Sequence, residues 1–353
     1  MNNLKIISVV GARPQFIKSA PVSKAFNENK VNEIIIHTGQ HFDPNMSSVF
    51  FEQLHIPREK YNLNINSLSH GAMTGRMMEK IETILLKESP DFVLVYGDTN
   101  STLAAALAAA KLHIKIIHIE AGLRSFNRFM PEEINRVLTD NLSYMLFCPS
   151  EESVFNLKKE GITAGGDKKI NIVGDVMKDA VKLFSSNEKP KKVNNRILVT
   201  IHREENIKEL SKLKIIIDSL NQLSKQFEII FPIHPSTKNK IKQNKLSLSF
   251  RTIDPLNFIE MINSVKESSL VITDSGGLQK DAYYLETPCV VLRDQTEWIE
   301  LLKNDVNTLC PINKKDISDL VIKKLNFDYS FDADIYGNGD TANKIVKAIL
   351  SGG

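Results

Sequence analysis

The sequence contains little cysteine. Its 353 residues include only three cysteines, Cys148, Cys289 and Cys310, which lie far apart among apolar neighbours. A disulfide framework needs a denser and even-numbered set, so the disulfide-rich class of small secreted folds is excluded. The pattern indicates buried thiols in a reducing compartment.

An excess of one charge is also absent. The chain carries 45 Lys and Arg against 42 Asp and Glu, a formal net charge of +3. This balance gives no reason to expect nucleic acid or a membrane surface as a partner, so any anion site must be local. The first apolar run, in MNNLKIISVV, is too short to span a membrane and is followed by Gly-Ala-Arg-Pro without a small-residue cleavage site. We interpret it as a first strand and expect a cytoplasmic protein.

Several cofactor and catalytic motifs are missing. No G-x-G-x-x-G follows the first strand, which argues against a tightly bound dinucleotide. In GARPQFIKS (residues 11–19), Ile17 stands where a phosphate-binding loop has glycine before its lysine, which argues against a Walker-type NTPase. The chain has no G-x-S-x-G elbow and no His/Cys cluster with metal-ligand spacing. We therefore expect neither a cofactor nor a metal.

The chain does contain a regular alternation of short apolar runs with longer amphipathic ones. The apolar runs are LKIISVV, EIIIHT, FVLVYGD, IKIIHIE and MLFCPS in the first half, and RILVTIHR, EIIFPIH, LVITDSGG and PCVVLRD in the second. Near-continuous apolar runs of this length are typical of parallel strands buried on both faces. The pattern predicts an α/β protein with two Rossmann-like, doubly wound parallel-sheet domains facing a central cleft.

The predicted domain boundary falls in a polar stretch. Residues 182–196 (KLFSSNEKPKKVNNR) contain a proline and lack apolar periodicity, as a linker does. We predict an N-terminal domain over residues 1–181 and a C-terminal domain over residues 182–335. Residues 336–353 end in an amphipathic helix that we expect to pack back on the N-terminal domain.

Polar residues directly follow the predicted strands, where ligands bind in open parallel sheets. Asp98 and Glu120 each follow an apolar run, so we expect partly desolvated surroundings that raise a carboxylate pKa. Glu132 has two interpretations, a third acid/base group or an ordinary helix-start acid in MPEEINR. Arg136 lies four residues further on and could pair with Glu132 on one helix face. Three further charges receive no role beyond solvation or pairing: Arg124, Arg128 and Glu133.

Two features of the second half indicate an anion site. SGGLQKD (275–281) follows LVITD and opens a helix, so its backbone N–H groups can hold a phosphate or diphosphate. The alternative is a plain strand-to-helix turn with a serine cap. TEW (296–298) adds a carboxylate that suits ribose hydroxyls, and together the two features favour a nucleotide diphosphate.

Two cations and two histidines also lie at predicted strand ends. Arg13 and Lys18 stand at the start of a helix, where positive charge opposes the dipole, which favours a binding role over simple solvation. His202 in TIHRE and His234 in PIHPS each end a strand. One histidine at such a place is more often structural, but two on one edge favour contact with substrate or phosphate.

These motifs together resemble the non-hydrolysing UDP-N-acetylglucosamine 2-epimerase family. The resemblance rests on GARPQFIKSAPV, HTGQH, VYGDTNSTLA, HIEAGLRS, MPEEINR, HREEN, HPS, TDSGGLQKDA, LRDQTEW and YGNGDTA, in that order along nearly the whole chain. It implies a GT-B type fold with the active site between the domains, UDP binding by the C-terminal domain, and a homodimer. It also implies UDP and a UDP-sugar as ligands, with no NAD and no obligatory metal.

The resemblance further implies a reaction and the residues for it. UDP-GlcNAc would be converted to UDP-ManNAc by elimination of UDP to a glycal and re-addition, for surface polysaccharide precursors. Positions matching Asp98, Glu120 and Glu132 handle protons in the family, and the histidine matching His202 lies near the leaving phosphate. The positions that match residues holding diphosphate, ribose or sugar are Arg13, Lys18, Arg136, His234, Ser275, Gly276, Gly277 and Glu297.

Some motifs differ from those of many UDP-GlcNAc epimerases. GARPQF stands where many read G-T-R-P-E, and TEW where they read T-E-R-P. With TGQHFDPNM and HGAMTGRM, these variants look more like the branch acting on UDP-2,3-diacetamido-2,3-dideoxyglucuronate. HFDPNM also differs from the region where many bacterial members bind an activating second substrate molecule, which argues against such activation here.

Other classes would share the same two-domain layout. A GT-B glycosyltransferase or an inactive sugar-nucleotide binder would present a similar nucleotide site. Simple binding does not require the acid set Asp98, Glu120 and Glu132, so the sequence favours the epimerase.

Overall fold

The computed structural model describes residues 4–40, 56–185, 192–303, 305–312, 317–331 and 335–352. The HFDPNM stretch, residues 41–46, lies outside them. The chain divides into two compact units, one of Met1–Leu183 with Ala333–Gly353 and one of Phe184–Asp332. Each unit is built around one sheet whose described strands are all parallel.

The first unit holds a sheet of seven strands in the order β3-β2-β1-β4-β5-β6-β7. Its strands are β1 Lys5–Val10, β2 Asn32–His37, β3 Tyr61–Asn62, β4 Phe92–Tyr96, β5 Lys115–Ile119, β6 Met145–Cys148 and β7 Lys169–Ile172. Its helices begin with α1 Arg13–Glu28, α2 His70–Glu88, α3 Asn100–Lys111, α4 Pro131–Leu142, α5 Glu151–Lys159 and α6 Val176–Phe184. The order of strand addition reverses between β1 and β4, so the topological switch point lies at the carboxyl ends of these two strands.

Helix α3 explains how the first unit packs closely at this switch point. Its sequence, NSTLAAALAAAK, is rich in alanine, so it can approach β4 and lie between α2 and α4. Thr99 caps the helix by accepting a hydrogen bond from the Thr102 N–H at 3.2 Å. The cap fixes the chain directly after Asp98.

The second unit holds a six-stranded sheet in the order β10-β9-β8-β11-β12-β13. Its strands are β8 Arg196–Thr200, β9 Glu228–Pro232, β10 Arg251–Ile253, β11 Leu270–Thr273, β12 Cys289–Val291 and β13 Asn307–Leu309. Its helices are α7 Glu204–Lys208, α8 Leu210–Leu223, α9 Pro235–Gln243, α10 Phe258–Glu267, α11 Gly276–Tyr284, α12 Ile299–Lys303 and α13 Ile317–Leu325. Here the reversal lies between β8 and β11.

The C-terminal helix α14, Thr341–Leu350, belongs to the first unit and packs against α1. The Ala342 N–H donates to Asp179 Oδ1 at 2.8 Å, and the Asp175 N–H donates to the Tyr336 carbonyl at 3.0 Å. These bonds attach the segment before and at the helix start to α6. The end of the chain therefore returns to the unit in which the chain begins.

The predicted fold class is confirmed, with one doubly wound parallel sheet in each unit. All nine apolar runs singled out in the sequence form strands. Four strands were not predicted, and all four lie at sheet edges: β3, β7, β10 and β13. Edge strands are short and partly exposed, so they lack the continuous apolar run that marks a central strand.

The cysteines and the helices add two observations. Cys148, Cys289 and Cys310 are buried, and none of them forms a disulfide within the described residues. Within the described ranges, every helix is too short or too polar to serve as a membrane span.

Candidate active site

Two carboxylates meet two cations at the carboxyl end of the first unit's sheet. Asp98 follows β4 and pairs with Arg136 of α4, while Glu120 follows β5 and pairs with Lys18 of α1. Strands β1, β4 and β5 are consecutive in the sheet, so α1 and the two acids share one edge. The structure thus brings four of the sequence-predicted residues together at the switch point.

Asp98 lies where its carboxyl is partly desolvated. Burial raises its pKa above the usual range; the Arg136 and Lys18 cations oppose the shift, while the Glu120 carboxylate adds to it. The Asp98 side chain keeps 30% of its surface exposed, so one side is open while protein surrounds the rest. The Asn135 Nδ2 donates to the Asp98 carbonyl at 2.8 Å and fixes the turn. A carboxyl of raised pKa with one open side suits a group that accepts and returns a proton.

Glu120 adopts an unusual backbone conformation. Its φ of +72° is in the left-handed region, which a non-glycine residue occupies only when its surroundings impose it. Its N–H and the Ala121 N–H both donate to the Phe147 carbonyl, at 3.1 and 3.0 Å. The side chain is buried and accepts a hydrogen bond from Lys18 Nζ. This turn directs the carboxylate back across the end of β4, over Gly97.

In the second unit, His202 lies at the corresponding switch point, beside a buried acid. Its Nδ1 is 3.3 Å from Asp274 Oδ1, and the ring is half exposed. The backbone N–H groups of His202 and Arg203 also donate to Asp274, at 3.0 to 3.2 Å, and Asn206 Nδ2 donates at 3.0 Å. Asp274 therefore fixes the chain after β8 and presents the imidazole at the sheet edge.

The start of α11 holds the predicted anion-binding residues. The Ser275 Oγ accepts a hydrogen bond from the Leu278 N–H at 3.4 Å, which is the serine cap considered in the sequence analysis. Gly276 lies against Glu297, and a Cβ at this position would come within 2.4 Å of Glu297 Oε1. At Gly277 a Cβ would meet no described atom within 4 Å, so this side of the helix start is open.

Two further contacts hold the TEW segment against α11. The Arg293 Nη1 donates to Glu297 Oε2 at 2.8 Å, and the Trp298 indole N–H donates to the Gly276 carbonyl at 3.0 Å. His234 lies elsewhere on the sheet edge, exposed, where it caps α9 by accepting from the Ser236 N–H at 3.3 Å. A carboxylate thus stands beside a helix N-terminus, the arrangement expected for ribose next to diphosphate.

Comparison with known proteins places this geometry in a family. The family model described as UDP-N-acetylglucosamine 2-epimerase matches residues 24–350. The chain is 47% identical over 350 residues to the UDP-2,3-diacetamido-2,3-dideoxy-D-glucuronate 2-epimerase of Pseudomonas aeruginosa, covering 98% of this chain and 99% of that protein. It is also 47% identical over 366 residues to a UDP-N-acetylglucosamine 2-epimerase homolog of Methanococcus maripaludis, with coverage of 98% and 99%.

A solved structure gives the same result. The crystal structure of Methanocaldococcus jannaschii UDP-GlcNAc 2-epimerase in complex with UDP-GlcNAc and UDP matches with a TM-score of 0.86 at 40% identity, over 99% of this chain and 100% of that chain. The chain belongs to the UDP-N-acetylglucosamine 2-epimerase family. The resemblance drawn from the motifs is therefore confirmed, and membership of this family favours the epimerase over the glycosyltransferase and the inactive binder.

Within this family member, α4 contributes differently from the sequence prediction. Glu132 is exposed in the first turn and makes no ion pair in the described part of the chain. The suggested Glu132–Arg136 pair is wrong, because Arg136 Nη1 donates to Glu133 Oε2 at 3.1 Å and Nη2 donates to Asp98. Residues 132 and 133 differ by about 100° around the helix, so only one of them shares the buried face with Arg136.

Glu133 is not a solvated charge. Its buried carboxylate accepts from the Ser125 N–H and the Phe126 N–H, each at 2.9 Å, and from the Ser125 hydroxyl at 3.0 Å. Arg124 is buried as well, and donates to Asp140 at 2.7 Å and to Glu160 at 2.7 and 2.8 Å. Of the three charges without a role, only Arg128 is exposed. Glu133 and Arg124 therefore shape the loop between β5 and α4.

Some residues that organise the site were not predicted from sequence. Gln15 accepts from the Gly11 and Ala12 N–H groups, at 2.8 and 3.0 Å, and donates to the Tyr96 carbonyl at 2.8 Å. It thereby ties the start of α1, where half-buried Arg13 lies, to the end of β4. The available signal was a neutral polar residue between Pro14 and Phe16 at the start of a helix that follows a buried strand. No group of His, Cys, Asp and Glu able to hold a metal ion occurs among the residues that the structure describes.

Proposed function

We propose that this chain catalyses non-hydrolysing C2 epimerisation of a UDP-2-acetamido sugar, converting UDP-GlcNAc to UDP-ManNAc. The observation that carries the proposal is the pair of acids Asp98 and Glu120, each held by its own cation, at neighbouring strand ends. Family membership supports the same reaction. A binding protein would gain nothing from a carboxyl whose pKa is raised by burial.

The chemistry requires acid/base groups at C2. The C2 proton is not adjacent to a carbonyl and is weakly acidic, so its removal must accompany cleavage of the C1–O bond to UDP. One base takes the proton, the electron pair forms the C1–C2 double bond of a glycal, and UDP leaves with the C1–O electrons. Return of a proton to the opposite face of C2, with re-addition of UDP at C1, completes the inversion. Retained UDP makes the return efficient, because both fragments stay at high effective concentration.

We assign the proton transfers to the first unit. Asp98 and Glu120 would serve C2, with Arg136 and Lys18 balancing their charge and contacting the sugar or diphosphate. Exposed Glu132, at the start of α4, is the third candidate acid. Arg13, at the first position of α1, is a further cation for the phosphates.

We assign UDP binding to the second unit. The backbone N–H groups after Ser275, at Gly276 and Gly277, would hold the diphosphate, with the helix dipole favouring its charge. Glu297 would accept from the ribose hydroxyls. His202 would donate to the leaving phosphate, since Asp274 orients its ring, and His234 would contact the phosphate or sugar.

Isotope exchange tests the proposed reaction. Incubation with UDP-GlcNAc in deuterated water should place deuterium at C2 without an acceptor sugar. Asp98→Asn and Glu120→Gln should each lower this exchange by about 10²-fold or more while UDP still binds. Glu79→Gln, an exposed glutamate of α2, is the matched control and should exchange at the wild-type rate. Absence of exchange with every UDP-2-acetamido sugar, or full activity of both site variants, would contradict the proposal.

The same reaction on UDP-2,3-diacetamido-2,3-dideoxyglucuronate is the alternative. It is favoured by the GARPQF and TEW variants and by the Pseudomonas aeruginosa relative named for that substrate. The Methanococcus maripaludis relative, a UDP-N-acetylglucosamine 2-epimerase homolog, has the same 47% identity to this chain. The two nucleotide sugars should be compared side by side as kcat/KM values. The uronate carries an additional carboxylate, so preference for it should fall with added salt more steeply than activity on the neutral sugar does.

We further propose a homodimer formed through the first unit. Helix α4 exposes an apolar stripe at every fourth residue, next to two exposed phenylalanines of the preceding loop, which together form a patch typical of protein contacts. The residues of this α4 patch are Phe126, Phe129, Ile134, Leu138 and Leu142. Light scattering should give a dimer mass that Leu138→Glu reduces to that of a monomer. Leu86→Glu, also exposed but on α2, should stay dimeric; a monomeric wild type would refute the dimer.

A further inference from the structure

His118 is a buried histidine that has no assigned role in the proposed reaction. It lies in β5, two residues before Glu120, and is fully buried. Its Nε2 lies 2.8 Å from the Gly97 carbonyl oxygen, and its Nδ1 lies 2.7 Å from Asp140 Oδ1. A carbonyl oxygen accepts hydrogen bonds and cannot donate them. The Nε2 must therefore carry a hydrogen.

The state of Asp140 decides the other ring nitrogen. Arg124, whose guanidinium is always charged, forms a fully buried ion pair with Asp140 and needs the negative charge of that side chain. Asp140 is therefore a carboxylate, which only accepts. Its Oδ2 also accepts from the Gly122 N–H at 3.2 Å and from Arg124 Nη1 at 2.7 Å. With both partners acceptors, His118 donates from both nitrogens, which is the imidazolium form.

The charges around His118 balance. Arg124 donates on its far side to Glu160, at 2.7 and 2.8 Å, so two buried cations face two carboxylates. An unpaired buried cation would be costly, whereas this arrangement gives each charge a hydrogen-bonded partner. The network therefore holds the imidazolium without leaving a buried charge unpaired.

The network connects the segments that carry the two proposed acids. Gly97, whose carbonyl accepts from His118, directly precedes Asp98. Asp140 lies four residues after Arg136 on α4, one turn further along the helix that pairs with Asp98. Through one ring, the ends of β4 and β5 and the helix α4 are held at fixed distances.

We propose that His118 is a positioning residue for C2 epimerisation, whose imidazolium, held between the Gly97 carbonyl and Asp140, fixes Asp98 and Glu120 relative to each other. This rests on the proposed function. The ring has no open path to substrate, because it is fully buried and both nitrogens are used. Its effect must therefore pass through the two acids.

Nuclear magnetic resonance tests the bonding directly and needs no activity. Long-range ¹H–¹⁵N spectra of the histidine-labelled wild-type protein at neutral pH should show two protonated ring nitrogens for His118. The signals are assigned by their loss in His118→Gln or, if that variant does not fold, by through-space contacts to Gly97. A ring with one unprotonated nitrogen would overturn the proposal.

Kinetics test the positioning role. His118→Gln should lower kcat by about tenfold to a hundredfold, because small displacements of acid/base groups have large effects, while the Kd for UDP stays unchanged. Asp140→Asn, which removes the carboxylate but keeps the size, should behave alike. His113→Gln, an exposed histidine before β5, is the matched control and should keep the wild-type kcat.

The outcomes are distinguishable from failure of the epimerase proposal. If wild type shows no C2 exchange with any UDP-2-acetamido sugar, the proposed function fails, and the positioning role fails with it, whatever the ring spectra show. If wild type exchanges and a folded His118→Gln keeps its kcat, only the positioning role fails. A fall in melting temperature without a fall in kcat would mean that His118 is purely structural.

Discussion

A substitution at Gly97 allows the effect of backbone strain on stability to be measured separately from the effect of site geometry on catalysis. It has a φ of +61°, and a Cβ there would lie 3.3 Å from Glu120 Oε2 and 3.8 Å from Lys18 Nζ. Gly97→Ala therefore introduces two separate costs. One is the left-handed backbone of an alanine, and the other is a tight contact with the carboxylate that we assign to proton transfer.

The backbone cost can be estimated. A left-handed alanine costs about 1–2 kcal/mol, and in a unit of about 200 residues each kcal/mol lowers the melting temperature by about 2–4 °C. The contact with Glu120 adds little to this loss of stability, because the Glu120 side chain can move by a few tenths of an ångström. That shift moves the carboxylate relative to Lys18 and to C2, so we expect kcat to fall by about tenfold.

Gly161→Ala isolates the backbone cost. Gly161 has a φ of +78° after the end of α5, and a Cβ there would meet no atom of the described chain within 4 Å. Both variants should melt at similarly lowered temperatures by calorimetry, whereas only Gly97→Ala should show C2 exchange slowed by about tenfold. If Gly97→Ala kept the wild-type kcat, the placement of Glu120 over Gly97 would have no catalytic importance and our reasoning would be refuted.

Three other predictions concern stability. Because burial raises the folded-state pKa of Asp98, its ionisation costs stability as pH rises above the usual pKa of 3.8. The stability of Asp98→Asn relative to wild type should therefore grow as pH rises from about 3.8 until Asp98 is ionised in the folded protein, as measured by urea unfolding. Hydrogen bonds, of which the one from Lys5 has the largest effect, lower the pKa of Glu88 to about 2. The stability that the ionised Glu88 contributes is complete above its usual pKa of 4.5 and should be lost as pH falls toward 2. Glu88→Gln should remove this pH dependence. Gly75→Ala, at an exposed position of α2 where a Cβ would meet no described atom within 4 Å, should stabilise the protein by about 1 kcal/mol and leave kcat unchanged.

The central strands could be predicted from sequence because burial on both faces imposes an apolar run. The same physics explains why edge strands could not. The strand β7, KINI, alternates apolar with polar residues and is only partly buried, so its sequence resembles a loop. Such strands pair because the neighbouring strand offers free backbone groups, which composition does not record.

The two principal acids could also be predicted, because each follows a buried strand. Their partners could not be predicted in the same way. The choice of Glu133 over Glu132 as partner of Arg136 depends on the rotation of α4 against the sheet, which tertiary packing sets. Asp274 directly precedes the predicted anion-binding turn, and its carboxylate holds the chain after β8, a role that depends on a contact distant in sequence and so leaves no local pattern.

Helix α4 connects the site with the proposed subunit contact. Three of its four charged residues, Glu133, Arg136 and Asp140, face inward, whereas Ile134 and Leu138 face outward. A surface helix normally has the reverse arrangement, because apolar burial is what holds it on the core. Here the inward face is held by ion pairs and hydrogen bonds, which contribute little net stability when buried. A partner covering the outward face would supply the missing apolar burial, so loss of the dimer should loosen the helix that holds Arg136 against Asp98 and lower kcat as well as mass.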